Sequence, residues 1–351
     1  MSNIPPPRSA GTLYRARKRL HWPSNRDFRI LSIDGGGIRG ILPLAILARL
    51  ESSYLAGTSI SNCFDLVAGT STGGVVALGL GAGLTASQIL ALYVDRGGEV
   101  FPDYGWVARK WLGAAHLFLN RCDRQQLDGL IDSVVGGRQI WESRHRLCIP
   151  AAETRHFEPF IFKTPHHQDY RQDWAQSMAH VAKTTSAAPT YFRPVERADG
   201  YEFVDGGIWA NNPIMVAVTD ALACFDVPRE RIKVLSFGCV RASFEMSWAR
   251  RHLGGLWFWR TLMIESMHLQ SQNVVGQARL ILGGDRVVRI DSDPISPKLE
   301  LFDWARCRDV LPGVADGIVA SVGGLAARFF LSDAAEPYRP FYTPHSPPSA
   351  L

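Results

Sequence analysis

Residues 67–74 read Val67-Ala68-Gly69-Thr70-Ser71-Thr72-Gly73-Gly74. The octet holds the frame Gly69-x-Ser71-x-Gly73, in which small residues let a serine sit on a sharp strand-to-helix turn. Such a turn strains the serine backbone and lifts its hydroxyl into the open. Glycines are needed on both sides because a Cβ there would collide with the neighbouring strand or helix. The flanks fit: Phe64-Asp65-Leu66-Val67-Ala68 reads as a short buried strand, and Val75-Val76-Ala77-Leu78-Gly79-Leu80 as a buried helix. By itself the frame is short and common, and an inert glycine-rich turn would explain it equally well. Two further motifs reverse that judgement.

Upstream, the strand Phe28 to Ile33 runs into Asp34-Gly35-Gly36-Gly37-Ile38-Arg39-Gly40, and a helix follows from about Ile41 to Glu51. Successive glycines between strand and helix expose backbone N–H groups at a helix N-terminus, which is an anion site. The spacing Gly35-x-Gly37-x-x-Gly40 also matches a dinucleotide fingerprint. That reading needs an acidic residue closing a second strand about 20 residues on. Glu51 falls in the expected helix and Asp65 inside the next strand, so an oxyanion hole for acyl transfer suits the loop better. A nucleotide-binding protein using Gly35–Gly40 stays as the rival.

Downstream, Glu202-Phe203-Val204-Asp205-Gly206-Gly207 places an aspartate at a strand end before two glycines. A serine needs a base to take its proton, and a partly desolvated carboxylate serves if its pKa is raised. An Asp-Gly turn alone would account for the dipeptide. The other base to weigh is a histidine, in the order Ser, Asp, His. The histidines after Asp205 are His252, His268 and His345, none of them in a recognisable post-strand loop. A Ser-His-Asp esterase is therefore the second alternative.

The three motifs, in this order, resemble the patatin-like phospholipases. Thr184-Thr185-Ser186-Ala187-Ala188-Pro189-Thr190-Tyr191-Phe192 is similar to that family's helix end before the aspartate strand. The resemblance implies a three-layer α/β/α fold with a nucleophile elbow, and cleavage of acyl esters of membrane phospholipids by a serine–aspartate dyad. It makes Ser71 the nucleophile and Asp205 the base. The backbone of Gly35, Gly36 and Gly37 becomes the oxyanion hole, with Arg39 supporting that loop. Gly40, Gly69, Gly73, Gly206 and Gly207 are the remaining motif residues. The Asp34–Gly40 form and compact length also resemble the bacterial members of antiphage defence, which implies activation by a cyclic dinucleotide and an antiviral role.

Composition bounds the rest. The chain has 351 residues, a hydrophobic share of 46% and net charge +5. The motifs must meet at one sheet edge, so one core is expected. The expected division is a basic N-terminal arm (1–27), a patatin-like phospholipase domain (28–335, core motifs 28–240) and a proline-rich extended tail (336–351). Arg8, Arg15, Arg17, Lys18, Arg19 and Arg26 precede the first acidic residue and read as a solvated arm. Six cysteines form no Cys-x-x-Cys pair and ten histidines no His-Glu-x-x-His pattern. Reduced thiols are expected, with no metal, cofactor or nucleic-acid partner. No apolar run approaches the roughly 20 residues of a membrane span, so the expectation is a cytoplasmic protein touching the membrane from one side. Trp106 to Leu119 and Leu253 to Arg260, the latter with Trp257 and Trp259, are candidate lipid contacts or ordinary core. Helices are also expected over Ala86–Arg96, Asp123–Val135, Asp173–Thr185, Pro213–Phe225, Arg260–Arg279 and Val314–Phe330. Strands are expected over Arg146–Ala152, Pro159–Lys163, Ile232–Gly238 and Arg286–Ile290.

Overall fold

A computed structural model of the chain describes residues 5–7, 17–101, 124–241, 248, 252, 262–301 and 303–349. The tryptophan-bearing stretches expected to touch lipid lie outside the described residues, apart from His252 and Trp248 beside them. Eight strands form one sheet: β1 (Phe28–Ile33), β2 (Leu66–Gly69), β3 (Arg146–Glu153), β4 (Glu158–Lys163), β5 (Val195–Glu196), β6 (Glu202–Asp205), β7 (Ile232–Phe237) and β8 (Val287–Ile290). The run β3-β2-β1-β7-β8 is parallel throughout, and β4 and β6 pair antiparallel with β3. A parallel sheet covered on both faces needs apolar residues on both sides of each strand, and β1 is buried at all six positions. Leu31 and Ile33 pack into one core cluster, Phe28 and Ile30 into the other.

Helices complete three layers. On one face lie α1 (Ile41–Tyr54), α2 (Thr72–Gly81), α3 (Ala86–Val100), α4 (Arg124–Val135), α5 (Met178–Thr185) and, after the short α6 (Gly207–Ala210), the C-terminal α9 (Trp304–Phe330). On the other face lie α7 (Ile214–Cys224) and α8 (Leu262–Leu282). This is the α/β/α architecture expected from the motifs.

Several local expectations are corrected. α3 does not stop at Arg96 but runs through Gly97-Gly98 to Val100, and the Trp304 indole packs 2.6 Å from where a Cβ on Gly97 would stand. α5 starts at Met178, not Asp173, because Ser177 caps it by accepting from the His180 N–H at 3.0 Å. α9 begins ten residues before Val314 and continues through Pro312. It is also long and apolar enough to cross a membrane by length and composition, with a window of mean hydropathy 1.6 of which 22% is buried. Its buried side, with Cys307, Leu311, Ala315, Ala326 and Phe330, packs on the core.

Where it is described, the basic arm is exposed at Arg17, Lys18 and Arg19 but anchored to the body at Trp22. Trp22 is buried between the Phe28 and Phe225 rings at 4.6 and 5.5 Å. Arg17 donates to the Tyr170 hydroxyl at 2.6 Å, and Arg26 pairs with buried Asp65 at 3.4 Å. The tail is pinned to the body: the Glu336 N–H donates to Asp65 at 3.0 Å and the Phe341 N–H to the Pro165 carbonyl at 2.8 Å.

Candidate active site

β3 is the spine on which the site is built. One of its edges pairs with β4 over Cys148–Glu153. The other edge is shared, by β2 at Arg146–Cys148 and by β6 at Ala151–Glu153. β2 runs parallel to β3 and β6 antiparallel, so they approach from opposite ends. The chain therefore leaves both strands at the same place, beside Ile149 and Pro150, just before Ser71 on one and at Asp205 on the other. Pro150 fills that gap, where a missing N–H removes no ladder bond. Ile33 is level with Gly69 on one side and Phe237 on the other, so the Asp34–Gly40 loop and the loop after β7 open at the same sheet edge. Crevices of this kind at the carboxyl ends of parallel strands are where such sheets bind ligands.

Ser71 has φ +55 and ψ −124, just outside α2. A non-glycine residue there carries roughly 1–3 kcal/mol of strain. Its N–H donates to Thr185 Oγ1 at 3.0 Å, and Thr185 Oγ1 in turn donates to the Pro150 carbonyl at 2.6 Å, tying the turn to the spine. A Cβ on Gly69 would come within 2.7 Å of the Gly74 nitrogen, and one on Gly73 within 2.7 Å of the Asp34 carbonyl. Backbone cannot move aside, so the glycine frame is required by close approach.

Asp205 is 4% exposed, accepts a hydrogen bond from the Gly207 N–H at 2.7 Å, and lies near enough to the Ser71 side chain for that group to favour its charged form. Burial pushes its carboxyl up to about 6, against the pull of those two groups. Gly206 packs its Cα against Pro150, and Gly40 packs against Thr72. Among the described residues no imidazole bonds Asp205. His268 lies mid-helix on Gln272 (2.9 Å), His252 Nδ1 meets the Trp248 carbonyl (2.9 Å), and His345 is exposed on the tail. A base with a pKa of about 6 gives a rate that follows its ionised fraction. Activity should plateau above about pH 7 and fall to about a tenth of that by pH 5. A pH–rate profile of kcat/KM on an uncharged ester checks this; a flat profile from 5 to 8 excludes Asp205 as the base. Burial also lifts Asp34 to about 6, against the pull of Arg289.

The glycine loop delivers fewer free donors than expected. The Gly35 N–H is already committed to the Asn211 carbonyl at 2.9 Å. Gly36 and Gly37 have no such backbone partner among the described residues, which leaves them as the loop's available N–H groups. Gly37 has φ +56, and the Ile38 N–H donates to the Leu301 carbonyl at 3.0 Å, closing the turn. Arg39 Nε reaches back to the Gly36 carbonyl at 3.4 Å, as loop support requires. Asp34, at the loop's start, is gripped by Arg289 from β8 through two 2.7 Å bonds; Arg289 also donates to Ser236 Oγ at 2.8 Å and pairs with Asp291 at 3.1 Å. Sequence reasoning missed Arg289, Thr185 and Asn211 as parts of this machinery. Thr185 sits inside a quoted motif and Asn211 four residues past another, but nothing in a late Val-Val-Arg-Ile strand marks the arginine as the loop's anchor.

A cavity of about 560 Å³ brings these groups together, lined by Gly36, Gly37, Arg39, Ser71, Asp205 and Arg289 among others. The dinucleotide rival finds no ribose acid: Glu51 accepts from the Ile60 and Ala86 N–H groups, and Asp65 from those of Arg29 and Glu336. Among the described residues one group, His166, Asp220 and Cys224, holds metal-ligating atoms within 4.8 Å of one another. Lys163 Nζ stands 2.6 Å from Asp220 Oδ1 and the Tyr170 hydroxyl bonds the same oxygen. An internal ammonium thus already neutralises that carboxylate, away from the cavity. The five described cysteines are free and buried.

Comparison with known proteins now adds to this geometry. The sequence model of the family described as Patatin-like phospholipase matches residues 31–218, more than half of the chain. A cGAMP-activated phospholipase of Escherichia coli (strain TW11681) is 32% identical over 235 residues, covering 62% of this chain and 64% of that protein. Its counterpart in Pseudomonas aeruginosa (strain BWHPSA011 / Pa011) is 33% identical over 216 residues, covering 60% and 62%. The chain thus spans under two thirds of the length of these relatives. The crystal structure of VipD from Legionella pneumophila aligns at 14% identity with a TM-score of 0.44, over 90% of this chain and 73% of that one.

Proposed function

The chain belongs to the patatin-like phospholipase family, and on that footing we propose that it is a lipid acyl hydrolase acting through a Ser71–Asp205 dyad on membrane phospholipids. The observation that carries the reading is Ser71 on its strained turn and Asp205, a buried carboxylate raised to about 6, lining one partly apolar cavity. Asp205 takes the Ser71 proton as Oγ bonds to the ester carbonyl carbon. The resulting oxyanion lies against the Gly36 and Gly37 N–H groups. As the carbonyl carbon–oxygen bond to the glycerol breaks, Asp205 returns the proton to the leaving alkoxide. Water then attacks the acyl-Ser71 ester, giving its proton to Asp205, and the fatty acid departs with Ser71 restored.

The relatives named as cGAMP-activated support a second part of the proposal: a cyclic dinucleotide switches this chain on, as an antiviral effector making peripheral contact with the membrane. A fluorophosphonate probe should label the protein at Ser71 and leave Ser71→Ala unlabelled. Hydrolysis of phospholipid vesicles should rise at least about tenfold on adding cGAMP, equivalent to ~1.4 kcal/mol of preferential binding to the active form. Labelling elsewhere would overturn the dyad; equal rates with and without cGAMP would overturn the switch.

A further inference from the structure

The cavity has an apolar and a polar lining. Val75, Phe101, Leu127, Leu130 and Phe192 line it, and α8 adds apolar Met267 and Val275. α8 also presents His268, Gln272, Gly276 and Arg279 to the cavity. These recur at i, i+4, i+8 and i+11, so they form one stripe along the helix. Arg241, from the loop after β7, lines the same cavity.

The cations of the polar lining are under-neutralised. Arg289, deeper in, is shared between Asp34 and Asp291. Arg279 is exposed and has no carboxylate within 4.0 Å among the described residues. Arg241 reaches Asp293 only at 4.0 Å, and that carboxylate is 98% exposed, so water screens the pair. His268 is held below its ordinary value by burial and, against the pull of Asp291, by Arg241, Arg289 and Arg39. Its ring therefore stays neutral and hydrogen-bonds Gln272 rather than adding charge. The stripe also has room, because a Cβ added at Gly276 would meet nothing within 4 Å.

We propose that this stripe of α8 is a phosphodiester-binding subsite, with Arg279 and Arg241 supplying charge and His268 and Gln272 supplying hydrogen bonds. It deepens the acyl-hydrolase reading and rests on it. A lipid with its acyl chain on the apolar lining and its ester carbonyl at Ser71 turns its phosphate, a few bonds away, toward the cationic lining of the same cavity. A phosphodiester monoanion could equally arrive as a free cyclic dinucleotide, and the test separates the two sources.

Two variants probe the stripe without disturbing packing: Arg279→Gln removes an exposed charge, and Gly276→Glu places an anion in open space while improving helix propensity. Each is assayed on phosphatidylglycerol and on diacylglycerol with the same acyl chains, in the same neutral micelles. The ratio of kcat/KM for phosphatidylglycerol over diacylglycerol should fall at least about tenfold, chiefly through KM, the loss expected for one charge-assisted hydrogen bond. An independent readout uses Ser71→Ala protein and calorimetric binding of a short-chain diether phosphatidylglycerol, which has no ester to cleave. Adding Arg279→Gln should weaken that binding about tenfold. Loss of cGAMP binding in the same variants, with the lipid ratio and diether binding unchanged, would overturn the lipid source and assign the stripe to the free dinucleotide. Equal loss on both lipids, or no change in either phosphodiester's binding, would overturn the subsite. Wild-type protein that cleaves neither lipid, yet binds the diether in an Arg279-dependent way, would sink the hydrolase reading and leave the subsite standing.

Discussion

Ser71→Ala and Asp205→Asn should each lower ester hydrolysis by on the order of 10⁴-fold or more, and the double variant should be scarcely worse than either. The two groups act as one unit: without the carboxylate the hydroxyl keeps its proton, and without the hydroxyl the carboxylate has nothing to activate. The variants should differ in stability. Asp205 has a folded value of about 6 against an ordinary 3.8. Its protonated form is thus favoured by folding: the benefit is full below 3.8 and is lost as pH rises through 6. Above that, the buried charge costs roughly 3 kcal/mol, from about two units at ~1.4 kcal/mol each. Asn keeps the Gly207 N–H partner and carries no charge. Asp205→Asn should therefore melt a few degrees above wild type at pH 8 and lose that advantage at pH 4, whereas Ser71→Ala keeps its Cβ, and so the turn strain, and should show no such gain. Thermal melts at both pH values beside initial rates on a chromogenic ester decide it. Wild-type turnover in either variant would end the dyad mechanism. His252→Ala and His268→Ala serve as the triad control, since a collapse of diffusion-accessible small-ester turnover matching Asp205→Asn would bring the Ser-His-Asp alternative back.

The motifs were legible because each encodes a local steric demand. Gly69 and Gly73 cannot carry a Cβ, and the sequence says so without any knowledge of partners. The parallel strands were legible as continuous apolar runs, since both faces of β1 are covered. What failed to show was whatever depends on a distant partner. Gly97-Gly98 looks like a helix stop until Trp304, more than two hundred positions on, is packed against it. The arm at 17–26 looks solvated by charge until Trp22 is seen between two phenylalanine rings. Arg289 is an ordinary strand arginine until β8 pairs with β7 and brings it onto Asp34. The same limit applies to the oxyanion loop: three consecutive glycines suggest three free donors, and only the tertiary contact with Asn211 removes one.

Gly36→Ala should slow turnover about 10²–10³-fold, the usual cost of losing one oxyanion donor, and the cause should be a neighbour rather than the backbone. Gly36 has φ −175, extended geometry open to any residue. The obstacle is Cys239, whose Sγ would lie 2.8 Å from an added Cβ and whose own Cβ is closer still. The alanine must push the loop or the β7 end, turning the Gly36 N–H away from the carbonyl oxygen. Removing the obstacle should undo the damage: Gly36→Ala combined with Cys239→Gly should recover most of the lost rate, while Cys239→Ala, which keeps the Cβ, should not. Gly37→Ala is the contrasting case. Its φ is +56, and its Cβ would meet the Leu301 carbonyl oxygen at 2.5 Å. That oxygen is held by the Ile38 N–H at 3.0 Å, so no side-chain deletion can relieve the clash. Measured as kcat on a small ester, with fluorophosphonate labelling to confirm that Ser71 is still presented, the pair separates a steric fault from a chemical one. Full activity in Gly36→Ala would remove this loop from transition-state binding. Failure of Cys239→Gly to rescue it, with folding intact, would mean that the glycine serves a motion of the loop and not a contact.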